Sequence, residues 1–325
     1  MTTFVLRRLV SAIALLIVLT AVVFTLQQLS PTDGVKAYLG TGASPAAVAA
    51  ARHQLGYDRP LIVQYLHYLG GIAHGDLGLS LRTRDPVTTD LASAAPATLE
   101  LVFTAFIFAI VVALLYVVSS AVLGGSVFRT LLLVAACAPP FLLGIAGLIT
   151  FYAHLRWLPG GGRGTVGGPT GFTLVNAILH GDPAQFASGV SHLVLPALTL
   201  AIAPALAIGR VLHNSVDTTI RADYIRTANA TGISPWRVYT GHVARNSIGP
   251  ALSMAGLQLG FMCAGVVVVE QVFNWPGVGN YLAESIPVAD FSAIAGVTLL
   301  LATVYIVANA AVDILQALAD PRIAL

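Results

Sequence analysis

The chain has 325 residues, 57% of them hydrophobic and only 9% charged, with 16 basic against 14 acidic side chains. So few charges leave too little polar surface for a water-soluble domain of this length, which excludes water as the main solvent. The net charge of +2 comes from scattered rather than clustered basic residues, which excludes a nucleic-acid-binding patch.

Stretches without Asp, Glu, Lys or Arg run over 9–32, 101–128, 130–155, 183–209, 246–269 and 291–312, each 22 to 28 residues long. About 20 apolar residues at about 1.5 Å rise cross a hydrocarbon core of about 30 Å, so each run can span it. The expected fold is an all-α integral membrane protein with six transmembrane helices. With the N-terminus inside, the short inside loops and tails carry Arg7, Arg8, Arg129, Arg210, Arg221, Arg226, Arg237, Arg245 and Arg322, against Arg156 and Arg163 outside. The positive-inside rule then predicts that both termini are cytoplasmic.

At the start of the chain, Arg7-Arg8 before an apolar run also fits a cleaved secretory signal. No small-residue cleavage pattern follows Phe24, and Gln27-Gln28-Leu29-Ser30-Pro31 reads as a helix exit, so the first span is expected to be retained. The segment 33–96 is then an extracytoplasmic cap. Ser44-Pro45 offers an N-cap and first helical position before an Ala-rich stretch that stops at Gly56, and Asp58-Arg59-Pro60 offers a second start. In that second helix Leu61, Ile62, Tyr65, Leu66 and Leu69 share a face before Gly70-Gly71. The face either packs on its own segment or serves as a docking surface.

Pro139-Pro140 and Pro204 fall within spans three and four, where proline frees a carbonyl and kinks a helix. The run 164–181 reads as a loop with one short surface helix, and Gly160-Gly161-Gly162 with Gly167-Gly168 predicts a partly mobile outside segment. Cys137 and Cys263 lie in predicted spans, where a thiol is a small buried hydrophobe rather than half of a disulfide.

The richest stretch is the cytoplasmic segment 214–247, and within it 223–239 reads as helix, break, helix. Gly232 suits the left-handed residue that ends the first helix, Ser234 can cap the next, and Pro235 fits its first position. Trp236 and Tyr239 then project on one side beside Arg237. Aromatics with Arg suit a helix that enters a partner's groove, or else they anchor at lipid headgroups.

These residues resemble a known family. Arg226-Thr227-Ala228, Gly232, His242 and Arg245-Asn246 are similar to the cytoplasmic loop of ABC-importer permeases of the oligopeptide, dipeptide and nickel group. Leu55-Gly56-Tyr57-Asp58-Arg59-Pro60 with Gln64-Tyr65, then Gly75-Asp76-Leu77-Gly78 with Ser80, resemble the family's outside segment, and Pro96-Ala97-Thr98-Leu99-Glu100 its approach to span two. After span five, Glu270-Gln271-Val272-Phe273-Asn274-Trp275-Pro276-Gly277-Val278-Gly279 is similar to the family's Glu-x-x-Phe-x-Trp-Pro-Gly-x-Gly run, and Asp320-Pro321-Arg322 to its terminal Asp-Pro-Arg. Several matches in the right order carry weight that one motif lacks. The chain departs where importer loops generally open with Glu-Ala-Ala and where relatives have basic residues at the positions of Asn229 and Thr231.

The resemblance implies a type I importer fold, with 1–325 as one permease domain and 214–247 as the loop that couples to a nucleotide-binding subunit. Gly232, Ser234, Pro235, Trp236, Arg237 and Tyr239 would carry that coupling, while Asp58, Arg59, Pro60, Tyr65 and Asp76 would contact a binding protein or form a lid. Implied partners are a second, different permease chain, two ATPase subunits that bind ATP and Mg, and an extracytoplasmic binding protein. The cargo implied is a di- or oligopeptide, with nickel or another small solute as the alternative.

The residues limit other readings. A phosphate-cradling Gly-x-x-x-x-Gly-Lys-Ser/Thr loop is absent, and the single lysine, Lys36, is expected outside, so this polypeptide is not itself the ATPase. A gradient-driven carrier needs ionisable residues deep in the bilayer, whereas Glu100, Arg210, Glu270 and Asp313 are expected near span ends. No His-Glu-x-x-His or close His, Cys and carboxylate cluster supports a membrane enzyme or a bound metal, and His53, His67 and His74 lack ligand spacing. A passive channel would leave the Ser234-to-Tyr239 helix without a role.

Overall fold

The computed structural model describes residues 2–29, 44–54, 58–122, 125–164 and 168–319. All regular elements among them are helical. The first helix, α1, covers Thr2–Leu29; α2 (Pro45–Gln54) and α3 (Leu61–Ala73) belong to the segment that follows. Ser44 Oγ accepts from Ala47 N at 3.2 Å, so the expected N-cap of α2 forms. The predicted stop at Gly56 and the terminal Asp320-Pro321-Arg322 lie outside the described residues.

The second span begins earlier than its charge gap. Helix α4 runs Val87–Val122 through Pro96 and Glu100, and 36 residues rise about 54 Å, well beyond a hydrocarbon core of about 30 Å. Its first turns therefore extend past the membrane. Helix α8 (Pro183–Ile220) is similarly long, and starts where Asp182 accepts from Ala184 N and Gln185 N with Pro183 in the first turn.

Span three is broken rather than kinked. Helix α5 (Ser126–Cys137) and helix α6 (Pro140–Gly147), which continues as a π-helical turn over Leu148–His154, meet at 113°. Ala138 is extended at φ −80°, ψ 141°, because a residue before proline is pushed out of the helical region, and Pro139 and Pro140 supply no amide donors to bridge the gap. Counting the bent pair as one, the structure has up to six spans, as expected. Cys263 is buried as predicted, but Cys137, at the bend, is exposed.

The short helix α7 covers Thr173–His180. Beyond α8 come α9 (Asp223–Ala230) and α10 (Pro235–Val238), then a π-helical turn over Tyr239–Val243 that leads into α11 (Ala244–Val272). Helices α12 (Val278–Ser285) and α13 (Phe291–Ala319) complete the described chain.

The centre is α4 packed on α8, with α11 against α8 and α13 against α11. Close approach comes from small side chains spaced by four: Ala105, Ala109 and Ala113 on α4 face Ala197, Ala201 and Ala205 on α8, all at 1% exposure or less. Gly209 continues the α8 row, and a Cβ there would lie 3.1 Å from Tyr116 Cβ. Leu101, Leu193, Met262, Val266, Phe273 and Trp275 fill the core around these rows. On the other side of α4, Phe103, Ile107, Val111, Leu114 and Val118 stay exposed at helical spacing, the face a span turns to lipid. Helix α1 is peripheral: 11% of its most apolar window is buried, against 67% for α8.

Candidate coupling loop and the polar junction at the opposite end

The turn between α8 and α11 is built as a thin apolar pad under a set of exposed aromatics. Ile225, Val238 and Val243 are buried at 2–3% exposure, against Val216, Ile220, Ala228 and Ile233. Burying one side of α9 and α10 turns the other outward, so Trp236 is 78% exposed, Tyr239 53% and Tyr224 48%, with Arg237 also exposed. An indole left in solvent is costly, since a single aromatic carries much apolar area. Gly232 has φ +79° as its predicted place at the helix end requires, and a Cβ there would meet open space.

Two expectations for this loop are corrected. Ser234 has the extended backbone of an N-cap, and its carbonyl accepts from Val238 N at 3.0 Å, but its side chain makes no capping bond. Pro235 in the first position removes one of the amides that such a cap would satisfy. Nor is the 235–238 helix separate: through the π-helical turn it runs into α11, forming one apolar rod over Pro235–Val272. Force on Trp236 would thus act along the axis of a span.

The far end of that rod is different. Glu270 is fully buried, and its carboxylate accepts from Thr98 Oγ1, from Gly279 N at 2.8 Å and from Asn280 N at 3.0 Å. Thr98 Oγ1 in turn accepts from Val278 N at 2.8 Å, and Trp275 Nε1 donates to Ala97 O at 3.0 Å. One carboxylate therefore caps α12 while tying α11 to α4. Gly277 and Gly279 allow it: a Cβ on Gly277 would sit 2.1 Å from Glu270 Oε1, and one on Gly279 would sit 2.6 Å from Val267 Cα.

A second buried carboxylate repeats the device. Glu100 accepts from Thr173 N at 3.2 Å and Leu174 N at 2.7 Å, capping α7, and pairs with Arg163 through both Nε and Nη2. Asp290 does the same for α13, accepting from Ala293 N at 3.1 Å while holding Ser80 Oγ at 2.6 Å. Glu270 lies in the last turn of α11, near a span end as expected, but the burial of Glu100 and Glu270, and of Arg163 as a partner, is not visible in the sequence. The glycine segment expected to be mobile in part is packed at its start, where a Cβ on Gly161 would lie 2.6 Å from Phe273 O and Gly162 N donates to that oxygen at 2.9 Å; Gly167 lies outside the described residues. The nearest available signal was the alternation of Gly with Glu270, Trp275 and Pro276 in one short run.

The outer-segment residues separate into two groups. Asp58 and Arg59 are exposed ahead of α3, and Pro60 takes its N-cap place with φ −52°. Tyr65 turns inward, donating to Ile17 O at 2.9 Å and packing on Phe24 at 5.4 Å, so it tethers α3 to α1. Asp76 closes a turn by accepting from Gly78 N at 2.9 Å. The predicted apolar face splits accordingly, with Leu61, Ile62 and Leu66 exposed and Tyr65 and Leu69 half-buried. Burial, then the nearby Tyr65, pushes the Tyr68 hydroxyl up to about 12. None of these residues meets the coupling loop, because the 29 residues of α11 alone separate the two ends by about 43 Å.

Residues 105–325 match the family described as binding-protein-dependent transport system inner membrane component, and residues 1–102 match the N-terminal region of such membrane components. Among relatives, the di/tripeptide transport system permease protein DppB of Pseudomonas aeruginosa (strain UCBPP-PA14) is 39% identical, covering 99% of each chain. The probable D,D-dipeptide transport system permease protein DdpB of Escherichia coli K12 is 37% identical, over 93% of this chain and 92% of the relative. The dipeptide transport system permease protein DppB of the same strain is 36% identical, over 98% of each.

Proposed function

The chain belongs to the family of binding-protein-dependent transport system inner membrane components, and from that premise we propose that it imports peptides as one permease half of an ATP-driven complex. The peptide cargo is supported by relatives named for dipeptide transport that match nearly end to end. A second, different permease chain completes the path, an extracytoplasmic binding protein delivers the peptide, and two cytoplasmic subunits bind ATP and Mg. The termini and the 223–243 loop face the cytoplasm.

The observation that carries the coupling role is the exposed Tyr224, Trp236 and Tyr239 over a buried aliphatic pad. Such a surface fits a groove on a partner, where large aromatics supply most of the binding energy. The ATPase pair closes on ATP and moves Trp236, Arg237 and Tyr239. Pro235–Val272 transmits the motion as one rod, and Gly232 allows the turn that sets its angle. Alternating access follows when the two permease halves rock around a central site. Asp58, Arg59 and Pro60 form the exposed part of the outer segment and are assigned to contact with the binding protein; Tyr65 and Asp76 hold that segment in place.

The test is ATP-dependent uptake of labelled di- to hexapeptides into vesicles containing this chain, with and without the co-expressed second permease, ATPase and binding-protein subunits. Uptake only with the full set is expected. Uptake by this chain alone would replace the importer with a channel or gradient-driven carrier.

A further inference from the structure

Two adjoining cavities lie between α1, α3 and α13, and of the residues that line them the mechanism above uses only Arg59 and Asp76. The first is an apolar groove of about 580 Å³ walled by Ile13, Leu16, Ile17, Leu69, Leu299 and Leu300. The second, about 280 Å³, is lined by polar groups, among them Gln27, Arg59, His67 and Asp76. Leu77 lines both, and on every wall residues of the polar cavity lie within one turn of those of the apolar one: Phe24 beyond Thr20, Tyr68 beside Leu69, Ala295 beside Gly296. The two form one amphipathic slot.

Its occupant is constrained by position. Helices α1 and α13 are both long and apolar enough to be spans, so the groove between them lies at hydrocarbon depth, where acyl chains are the solvent. Thr20 and Thr303, the two hydroxyls in the groove wall, donate to Ile17 O at 2.7 Å and Leu299 O at 2.8 Å, so neither presents a free donor to a chain. The polar cavity offers an Arg guanidinium and a His for a phosphate, and the Asp76 carboxylate for an ammonium. A guanidinium suits a phosphate through charge-assisted, bidentate bonding. The combined size is that of sites holding molecules, roughly 300–1,000 Å³.

We propose that the slot holds one phospholipid with an amine headgroup, one of its two acyl chains along Ile13, Ile17 and Leu300, the other in the surrounding bilayer, and its phosphate and ammonium between Arg59, His67 and Asp76. The lipid fills the seam between the peripheral α1 and the body of the protein, where α1 packs only lightly.

The test uses the assembled complex, extracted in mild detergent and examined by native mass spectrometry, with phosphatidylethanolamine and phosphatidylglycerol as probes in exchange experiments. The unaltered complex is expected to keep one phospholipid per copy of this chain and to prefer the amine headgroup. Ile13→Trp, at a side chain 49% exposed and so tolerable to the fold, fills the groove and should remove the lipid. Arg59→Ala should weaken retention by about tenfold, the scale of one charge-assisted bond. A complex that keeps no phospholipid, or the same amount in both variants, overturns the proposal. So does a photo-crosslinker at residue 13 that captures the second permease chain instead of lipid.

Discussion

The two ends of the α11 rod solve opposite problems with its polar and aromatic residues. At the Glu270 end, charged and polar side chains are buried and answered from within the chain: Glu270 by Thr98 and two backbone amides, Glu100 by Arg163 and two more. At the loop end, large aromatics are left in solvent above a small pad, with Trp236 at 78% exposure. One end answers its buried carboxylates from within the chain and holds the helices in register, although Thr173 Oγ1 and Asn176 Nδ2 next to Glu100 stay buried without a partner. The other is unfinished, as expected of a surface that docks. Substitutions should therefore cost stability at the first end and coupling at the second.

The largest loss is expected from Glu100→Ala. It leaves Arg163 buried and unpaired and strands the amides of Thr173 and Leu174, and breaking a buried pair in this way costs about 3–5 kcal/mol. Arg163→Ala should cost less, because the carboxylate keeps its two backbone donors. Thermal unfolding of the purified complex would show this order, and a Glu100→Ala complex as stable as the unaltered one would mean that the junction does not hold the fold.

Glycines at the two ends sharpen the contrast. Gly277 has φ −109°, which any residue can adopt, so Gly277→Ala acts through sterics alone, driving a methyl into Glu270 and Thr98. Overpacking of this sort costs about 1–3 kcal/mol. Thr98→Ala should partly relieve it by opening space next to the new methyl, and a double-mutant cycle on unfolding would read the coupling. If the two losses simply add, Gly277 is not confined by that contact.

These cases also show what the amino-acid sequence could reveal. The spans were legible because long uncharged runs have few other uses, and the loop was legible because Gly232, Pro235 and Trp236 each imply a position. The junction was not, because a charge-gap rule ends each span at the first carboxylate. Glu100, inside α4, and Glu270, in the last turn of α11, are instead buried, through side-chain partners 63 and 172 residues distant in the chain and through amides freed by a neighbouring helix start. Pro139-Pro140 signalled a kink, but the 113° turn depends on what α6 packs against. Ser234 has the right type for a cap, yet a side-chain bond also needs a rotamer that composition does not report.

Tyr281 tests the completed end by pH. Its hydroxyl donates to Asp90 at 2.9 Å, and burial first, then the Asp90 and Asp290 carboxylates, push its pKa above the ordinary phenol value of about 10. The folded protein thus holds this proton more tightly than the unfolded chain. Stability present below pH about 10 is lost as pH rises toward the folded value. Tyr281→Phe should flatten that alkaline decline and lower stability at neutral pH by about 1.5 kcal/mol, the worth of a bond to a charged acceptor. An unchanged alkaline decline would assign it to other groups.

At the loop end, Gly232→Ala meets no neighbour, so its cost is the left-handed backbone alone, about 1 kcal/mol. Trp236→Ala should be smaller still for the fold, within about 0.5 kcal/mol, since the indole is exposed and the pad beneath it is Ile225, Val238 and Val243. Its effect on capture of the ATPase subunit should nonetheless be large, about 2 kcal/mol or thirtyfold in affinity if the indole is a central anchor. Unfolding and ATPase co-purification measured on the same variant separate the two. A Trp236→Ala complex that unfolds early has lost packing, and the loop then belongs with the completed end. One that is stable, keeps its ATPase and transports at full rate would leave Trp236 as a residue resting at the membrane surface, and the lever would have to be sought at Tyr224 and Tyr239.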